Sequence, residues 1–373
     1  YNDVLTTSSS AASNYNITYV NGSLVIAPKT LTITNPTVSN KVYDSGTTAT
    51  VSSTGTLSGF IGTQTVTVAS SSATFVGVGN VGTGISVTVS YTLANGANGG
   101  LASNYTVSNS TVTANITAKA LTISNETVSN KVYDSTNAAT LNTASATLVG
   151  AIAGDVVTLN TASASATFAS TNVGTAIAVT VTGNALIGSD AGNYTLTQPT
   201  GLTANITQKA LTASMVVADK TYDGNTTATP TFTIISGLVG SQTLTVTGTA
   251  TFGSSNAGTQ TATAQTVSLS NGSGLASNYS LSAGQTDTAT INKATLTASM
   301  TVAGKTYDNT TTATPTFTIT NGLVGSQTLV VTGTATFALS DAGVQTATAQ
   351  TVSLANGTNG GLASNYSLSA GQT

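Results

Sequence analysis

The residues of this chain that could do chemistry are few, and they recur in one pattern. A Lys-x-Tyr-Asp motif occurs four times, at Lys41, Tyr43, Asp44, Lys131, Tyr133, Asp134, Lys220, Tyr222, Asp223, Lys305, Tyr307 and Asp308. A lysine beside a carboxylate predicts an ion pair, with the tyrosine covering the end of a sheet. The alternative is an intramolecular amide bond between Lys41 and Asn104, with Asp44 as the neighbouring acid. We favour the structural role.

Composition excludes most enzymes. The 373 residues contain no His and no Cys, and all 8 basic residues are Lys. Neither a Ser-His-Asp or Cys-His site nor a zinc site with thiolate or imidazole ligands can be built from them. A glycosidase needs two nearby carboxylates, yet Asp44 is the only acid between Lys29 and Ala118. We therefore expect no enzymatic activity.

The same composition limits cofactors and partners. The 11 acidic residues are dispersed without an Asp-x-Asp-x-Asp run, so we expect no cofactor. A calcium site in each repeat that uses backbone carbonyls remains the alternative. Eight Lys and a net charge of -3 argue against nucleic acid. No run of 18 apolar residues predicts a transmembrane helix.

Internal repeats organise the chain. The tyrosines of the Lys-x-Tyr-Asp motif are 90, 89 and 85 residues apart. An Asn-Tyr motif returns at similar spacing, at Tyr15, Tyr105, Tyr194, Tyr279 and Tyr366. Two further landmarks are an Ala-Thr-Phe triplet and an Asn-x-Gly turn, which in the last repeat begins with Asp341. This period is too long for a solenoid coil and matches one small β-sandwich.

The fold class predicted is all-β, with tandem Ig-like antiparallel β-sandwiches of about 85–90 residues that form an extended rod. Thr and Val alternate through stretches such as 242–247, which is typical of a sheet packed on one side. The predicted domains are the closing strands of an incomplete repeat and four repeats, the last lacking its final strand: 1–28, 29–118, 119–208, 209–292 and 293–373. The run 204–212 has no flexible linker, which predicts direct strand-to-strand continuity between repeats.

The Asn-Tyr motif predicts a structural tyrosine. The stretch 190–194 has the Asp-x-Gly-x-Tyr spacing of an immunoglobulin tyrosine corner, in which the hydroxyl fixes the start of a strand. We expect this role at Tyr105, Tyr194, Tyr279 and Tyr366, and regard sugar recognition by these rings as the weaker interpretation.

The first 28 residues allow two interpretations. The simpler one is that the chain is a window from a longer array of repeats. The other is strand donation, in which Ser23, Leu24, Val25 and Ile26 of one copy complete an open sandwich in another.

The ordered motifs resemble a known family. Their order along a repeat is similar to that of the YDG-type repeat of large bacterial surface adhesins and filamentous-haemagglutinin-like secreted proteins. This order is Lys-x-Tyr-Asp, then Asn-x-Gly-Thr, then Asn-Tyr-[Thr/Ser] and then Ile-Thr-x-Lys-Ala-Leu-Thr. Only Tyr222-Asp223-Gly224 matches the name strictly. The resemblance implies tandem Ig-like sandwiches in a secreted stalk.

The expected function is therefore structural. We predict a stalk or filament segment of a bacterial extracellular adhesin that projects from cells or links them, as in a biofilm. One alternative is a self-assembling filament subunit joined by strand donation, whose partners are other copies of itself. The other is a glycan- or surface-binding module, whose partners are host or cell-surface glycans.

Overall fold

The computed structural model of the chain describes residues 14–16, 18 and 20–369. In this part the regular elements are β-strands, apart from single 3-10 turns at Ala102–Asn104, Ala191–Asn193, Ala276–Asn278 and Ala363–Asn365. None of its helices has the length and apolar character that crossing a membrane requires. The predicted all-β class of tandem repeats is confirmed.

Repeat 1 contains ten strands. They are β1 (Lys29–Thr34), β2 (Thr37–Val38), β3 (Lys41–Val42), β4 (Thr48–Ala49), β5 (Val51–Ser53), β6 (Thr56–Ser58), β7 (Val66–Phe75), β8 (Gly82–Asn95), β9 (Tyr105–Val107) and β10 (Ser110–Thr117).

The later repeats follow the same plan. Repeat 2 holds β11 (Lys119–Ser124), β12 (Thr127–Val128), β13 (Lys131–Val132), β14 (Ala138–Ala139), β15 (Leu141–Asn142), β16 (Thr147–Val149), β17 (Thr158–Asn160), β18 (Ser165–Phe168), β19 (Gly174–Thr182), β20 (Ala185–Ile187), β21 (Tyr194–Thr197) and β22 (Thr203–Thr207). Repeat 3 holds β23 (Lys209–Ala210), β24 (Thr212–Val217), β25 (Lys220–Thr221), β26 (Thr227–Ala228), β27 (Pro230–Ser236), β28 (Leu244–Phe252), β29 (Gly258–Asn271), β30 (Tyr279–Ser280) and β31 (Thr286–Asn292). Repeat 4 holds β32 (Ala294–Val302), β33 (Thr312–Ala313), β34 (Pro315–Asn321), β35 (Leu329–Phe337), β36 (Ala347–Asn356) and β37 (Tyr366–Leu368).

Each of the first three repeats builds a five-stranded sheet, which we call the base sheet. Its order is β3-β10-β8-β7-β4 in repeat 1, and the same order returns as β13-β22-β19-β18-β14 and β25-β31-β29-β28-β26. A smaller sheet, the cover sheet, has the order β6-β1-β9 in repeat 1. Its counterparts are β16-β11-β21, the pairs β23-β30 and β24-β27, and β34-β32-β37.

The strands form because apolar and hydroxyl side chains alternate. In β7, Ala73 and Phe75 are buried while Thr74 between them is exposed. In β8, Val87 and Val89 have no exposed surface. Because strand side chains point alternately to the two faces, this period places the small and aliphatic residues in the core and the threonines outside.

Two strand pairs in each of repeats 1–3 are parallel, whereas the sequence analysis predicted antiparallel sheets. In repeat 1, β1 pairs with β9 and β3 pairs with β10. The counterparts in repeats 2 and 3 are also parallel. Alternating polarity reveals which residues face the core, but it carries no information about strand direction.

The buried side chains group across the repeat limits. One core joins Phe75, Val87 and Ile116 of the base sheet of repeat 1 to Leu121 and Tyr194 of the cover sheet of repeat 2. We call this core the first junction. It shows that the base sheet of one repeat packs on the cover sheet of the next.

Two more cores follow the same rule. The second junction joins Phe168 and Ile206 of repeat 2 to Leu211 and Tyr279 of repeat 3. The third junction joins the base sheet of repeat 3 to the cover sheet of repeat 4 and includes Phe252, Ile291, Leu296 and Tyr366. The cover sheet of repeat 1 has a small cluster of its own around Leu31, Val66 and Tyr105.

The chain forms two compact units. The first comprises the described residues up to Glu126 together with Thr143–Ala164 and Gly183–Pro199, and it contains the first junction. The second comprises Thr127–Asn142, Ser165–Thr182 and the described residues from Thr200 onward, and it contains the second and third junctions.

The third junction also contains Met215 and Val217 of β24, which belong to the same repeat as its base sheet. The cores thus combine contacts within a repeat with contacts across the repeat limits, while the domain limits chosen from the sequence stay predictions. The physical reason lies in the direct strand-to-strand connection. In repeats 1–3 the second-to-last residue of the last base-sheet strand is a buried Ile, and a buried Leu follows it five residues later in the next cover sheet. The pairs are Ile116 with Leu121, Ile206 with Leu211, and Ile291 with Leu296.

Candidate functional site

The lysine of the Lys-x-Tyr-Asp motif clamps the turn that follows it. The Lys41 Nζ lies 2.6 Å from Asp44 Oδ1, 2.5 Å from the carbonyl of Gly46 and 3.1 Å from that of Thr48. The ammonium also lies 5.5 Å from the ring centroid of Phe75, which places it at cation–π distance. The predicted ion pair is therefore present as one part of a larger clamp.

The clamp recurs in the other repeats. The lysine-to-carboxylate distances are 2.7, 2.7 and 2.9 Å, in the pairs Lys131–Asp134, Lys220–Asp223 and Lys305–Asp308. The carboxylates are about half exposed, so each ion pair alone contributes about 0–1 kcal/mol. Bonds to the turn carbonyls add about 1 kcal/mol each. The clamp thus fixes local structure.

The residue after each motif aspartate adopts a left-handed conformation. The φ angles are 62°, 66°, 78° and 57° at Ser45, Ser135, Gly224 and Asn309. Glycine adopts this conformation without strain and Asn tolerates it. The Gly of the strict Tyr-Asp-Gly triplet is thus suited to this turn but not required by it, because Ser and Asn adopt the same conformation in the other repeats. In all four turns the Asp carboxylate accepts the backbone N–H two residues on.

The clamp also leaves no proton of Lys41 for another role. An ammonium has three donors, and Lys41 uses them on Asp44, Gly46 and Thr48. The hydrogen bonds of its ammonium within the described chain do not involve Asn104. Lys41 also lowers the pKa of Asp44, chiefly through their hydrogen bond. The amide-bond alternative therefore has no support in this geometry.

The two tyrosine motifs meet at the junctions. Tyr133 and Tyr279 pack edge to face, with ring centroids 5.4 Å apart and an interplanar angle of 77°. The same arrangement occurs at 5.4 Å in the pairs Tyr43–Tyr194 and Tyr222–Tyr366. In every pair, the Lys-x-Tyr-Asp tyrosine of one repeat contacts the Asn-Tyr tyrosine of the next.

One polar side chain, which we call the bridge residue, connects the two hydroxyls of each pair. In the second junction, Tyr279 donates to Gln242 Oε1 at 2.5 Å, and Gln242 Nε2 donates to the Tyr133 hydroxyl at 2.9 Å. The backbone N–H of Val239 donates to the Tyr279 hydroxyl at 3.1 Å. Gln327 has the same contacts in the third junction.

The first junction has a carboxylate as its bridge residue. Asp155 Oδ2 accepts from Tyr43 at 2.9 Å and from Tyr194 at 2.5 Å. Burial, helped by the hydrogen bond to Asp155, raises the pKa of Tyr43 from its ordinary value of 10.0 to about 12. The same causes raise the pKa of Tyr194. Both tyrosines are thus held in the neutral form.

This difference predicts an alkaline instability of the first junction. Because the pKa of Tyr43 is higher in the folded chain, its contribution to stability is complete below pH 10 and is lost as the pH rises towards about 12. Hydrogen exchange or thermal unfolding between pH 9 and 12 measures the effect. Asp155→Gln gives this junction the bridge residue of the other two, so we expect it to flatten the dependence. An equal pH dependence in the variant would contradict the assignment.

The Asn-Tyr tyrosine is the first residue of a strand, but the partner of its hydroxyl differs from that in a tyrosine corner. The hydroxyl of Tyr194 accepts the backbone N–H of Ile152, 42 residues upstream. An immunoglobulin tyrosine corner bonds to backbone only a few residues upstream. Tyr105 makes the same long-range contact with Ile61. The hydroxyl therefore ties the 3-10 turn to a distant loop of its own repeat.

The asparagine before this tyrosine hydrogen-bonds to the Asn-x-Gly turn of the preceding repeat. Asn278 is 1% exposed; its Oδ1 accepts the Val173 N–H at 2.9 Å and its Nδ2 donates to Asn172 Oδ1 at 2.9 Å. The same pair of bonds links Asn193 to residues 80 and 81, and Asn365 to residues 256 and 257. This contact explains why an Asn-Tyr pair and an Asn-x-Gly turn recur in phase.

The bridge residues were missed by the sequence analysis. Gln242 and Gln327 each follow a glycine by two residues, and Asp155 follows one directly. Gln64, which accepts from the Tyr105 hydroxyl but joins no tyrosine pair among the described residues, follows a glycine in the same way. Those glycines have positive φ angles of 57°, 59°, 98° and 56°. Comparing the loops that contain these glycines between repeats reveals the Gly-x-Gln pattern. The pattern alone does not indicate that the Gln side chain bonds to a tyrosine.

The remaining site residues lie at exposed surfaces. Tyr307 is 60% exposed, unlike the other three motif tyrosines. Leu24, Val25 and Ile26 of the proposed donor strand are 84%, 87% and 85% exposed. Among the residues that the structure describes, no three acidic side chains form a group that could hold a metal ion.

Comparison with known proteins agrees with the repeat organisation. The YDG domain family matches residues 27–114, 117–201 and 207–289, which together make up well over half of the chain. A search of the curated proteins found no match.

Proposed function

Because the chain belongs to the YDG domain family, we propose that its tandem repeats serve as a mechanical stalk or filament segment of a bacterial extracellular adhesin. On this proposal the repeats are Ig-like modules, and the chain is secreted and linked in series between a cell and its contact. The tip, and not these repeats, would recognise the target.

The observation that carries the proposal is the parallel pairing, in each of repeats 1–3, of the strand that contains the motif lysine with the last strand of the repeat. β3 lies beside β10 in parallel, with Lys41 opposite Ile116, and the counterparts are Lys131 opposite Ile206 and Lys220 opposite Ile291. Tension between the two ends of a repeat would slide such strands past each other. Their hydrogen bonds would then have to break together instead of one after another.

The junctions support the same role. Each links adjacent repeats through a shared apolar core, a tyrosine pair and a buried asparagine. No flexible linker separates the repeats, since β10 and β11 are one residue apart, as are β22 and β23. Force applied to one repeat would therefore pass directly into the core that it shares with the next.

Single-molecule pulling tests this role. With handles at both ends of the chain, we expect a series of separate rupture events at evenly spaced extensions. A repeat of 85–90 residues would release roughly 300 Å at 3.3–3.6 Å per residue. Extension at low force without separate events would contradict a stalk.

The chain offers a matched control for pulling direction, because it contains no cysteine. Handles attached through Thr63→Cys and Asn98→Cys would load the open end of the β7–β8 hairpin, where Asn98 Nδ2 donates to the Thr63 carbonyl at 2.7 Å. This geometry separates ladder bonds one at a time, so we expect a clearly lower rupture force than along the chain. Equal forces in both directions would show that the parallel strands have no mechanical role.

A further inference from the structure

Repeat 2 contains the only charged side chain that is buried within the described residues. Glu126, the single glutamate of the sequence, is 5% exposed and lies between β11 and β12. It stands five residues before the motif lysine, where repeat 3 has Met215, which is also 5% exposed. Repeat 2 thus buries an acid at a position where repeat 3 buries an apolar side chain.

The neighbour of this acid is a second buried polar side chain. Asn184 is 7% exposed, and its Nδ2 donates to Glu126 Oε2 at 3.2 Å. Gln198 holds the backbone of Asn184, because its Nε2 donates to the Asn184 carbonyl at 2.9 Å and its Oε1 accepts the Asn184 N–H at 3.3 Å. All three residues belong to the first compact unit. The residue that faces the carboxyl group is therefore fixed in place.

One oxygen of each group has no partner. Glu126 Oε1 and Asn184 Oδ1 are buried, and neither has a hydrogen bond within the described residues. Both are acceptors, so they cannot bond to each other while the carboxyl group is ionised. Leaving buried acceptors without a donor, and a buried charge without a partner, destabilises the fold. The pair therefore lacks one donor.

A proton fits this place better than a metal ion. Calcium takes about six to eight oxygen ligands, whereas the pair offers the two unpartnered oxygens and Glu126 Oε2. The polar side-chain atoms of Gln198 are already bonded to the backbone of Asn184. One proton, in contrast, is enough to give both unpartnered oxygens a hydrogen bond.

No charged side chain offsets the burial of Glu126. Burial raises the pKa of its carboxyl group above the ordinary value of 4.5, and the hydrogen bond from Asn184 opposes the rise in part. No charged group in the described part of the chain contributes to this shift. The other charged residues of repeat 2 are Lys119, Lys131, Asp134, Asp155 and Asp190. The fold therefore favours the neutral carboxyl group.

We propose that Glu126 and Asn184 form a proton-binding site, in which a proton on Glu126 Oε1 is donated to Asn184 Oδ1 and closes a ring of two hydrogen bonds. The carboxyl group then donates one bond and accepts the other, so that both unpartnered oxygens are satisfied. Repeat 2 is accordingly more stable in mild acid than at higher pH. The inference stands on the contacts of these two side chains and does not depend on the proposed extracellular role.

The direction of this pH dependence follows from the raised pKa. A group with a higher pKa in the folded chain contributes its full stability below the unfolded value, here 4.5, and loses it as the pH rises through the folded value. Each unit of difference changes the unfolding equilibrium constant about tenfold. The other repeats have Pro36, Met215 and Met300 at this position, so we expect the effect in repeat 2 alone.

Selective isotope labelling observes the proton directly, because the chain has a single glutamate. With the side-chain carboxyl carbon of glutamate labelled, the nuclear magnetic resonance spectrum of the full chain contains one such signal, that of Glu126. We expect a titration midpoint clearly above 4.5, unchanged by added calcium or by a chelator. A midpoint at or below the ordinary value, or one that calcium lowers, would overturn the proposal.

Glu126→Gln tests the effect on stability, because the glutamine amide supplies a permanent donor to Asn184 Oδ1. Hydrogen exchange at the β20 amides compares this variant with the parent chain from mild acid upward. We expect the ratio of their unfolding equilibrium constants to change about tenfold for each unit by which the labelled midpoint exceeds 4.5, with the parent chain losing stability as the pH rises.

The matched control is Asp341→Asn, which makes the same replacement of a carboxylate by an amide at an exposed site in repeat 4. It should keep the pH dependence that the parent chain shows in repeat 2. An equal pH dependence of repeat 2 in Glu126→Gln and in the parent chain would contradict the proton-binding site. The labelling experiment decides the question on the unaltered chain if Glu126→Gln fails to fold.

Discussion

Replacing Ile206 with Ala should lower the free energy of unfolding of the second junction by about 2–5 kcal/mol. Ile206 is 1% exposed and belongs to the core that joins the base sheet of repeat 2 to Leu211 and Tyr279 of repeat 3. Truncation removes buried apolar surface and leaves a cavity that the rigid pair of sheets can fill only in part. Calorimetry together with hydrogen exchange at the β19 amides measures the loss.

Ile26→Ala is the matched control for this variant. Ile26 has the same place relative to the following cover sheet, but it is 85% exposed. We expect a change of less than about 0.5 kcal/mol, as for other exposed substitutions. Similar losses in both variants would mean that burial in the junction core does not account for the effect of Ile206→Ala.

Replacing Asn278 with Ala should cost about 1–3 kcal/mol at the same junction. The side chain is 1% exposed and bonds to Val173 and Asn172 in the preceding repeat. Alanine would remove the acceptor of the partly buried Val173 N–H and the donor to the side-chain Oδ1 of Asn172, and it would leave a cavity at the buried position 278. The expected result is a lower melting temperature for the second junction, with the first and third little changed.

Asn104→Ala provides an unusually close control. Residues 101–105 and 275–279 have the same sequence, Leu-Ala-Ser-Asn-Tyr. Asn104 is exposed, because no base sheet in the described residues covers it. We expect its replacement to change stability by less than about 0.5 kcal/mol. Equal effects of the two substitutions would show that the asparagine acts within its own turn.

Much of the local structure could be predicted from the sequence. The alternation of Thr with Val and Ala specified the strands, and the repeat spacing specified which residues are equivalent. Lys41 and Asp44 were expected to pair, and they do so at 2.6 Å. These features depend on residues close in sequence or on a period of two, both of which are visible in a single chain.

The junctions could not be predicted, because repeats with the same apolar pattern offer two equivalent partners, one in the same repeat and one in the next. Ile206 has the same apolar signal whether it packs on the cover sheet of its own repeat or on that of the next. Asp155 and Gln242 were overlooked for a related reason. Their tyrosine partners Tyr43 and Tyr133 are 112 and 109 residues away, and no local rule connects them.

The shared junction gives one explanation for several motifs. The Lys-x-Tyr-Asp clamp holds the tyrosine at the end of the base sheet, and the Asn-Tyr pair of the next repeat supplies a second ring and an amide. The side-chain amide of that asparagine hydrogen-bonds to the Asn-x-Gly turn of the preceding repeat. A substitution in any one of these motifs should therefore affect two consecutive repeats.

Hydrogen exchange at the Val173 amide in the Asn278→Ala variant tests the shared junction most directly. The acceptor of this amide is a side chain 105 residues further along the chain. The account predicts that exchange at Val173 becomes about 10- to 100-fold faster, corresponding to about 1–3 kcal/mol, while exchange at Val81 in the first junction is unchanged. Unaltered exchange at Val173, with changes confined to residues 209–292, would contradict it.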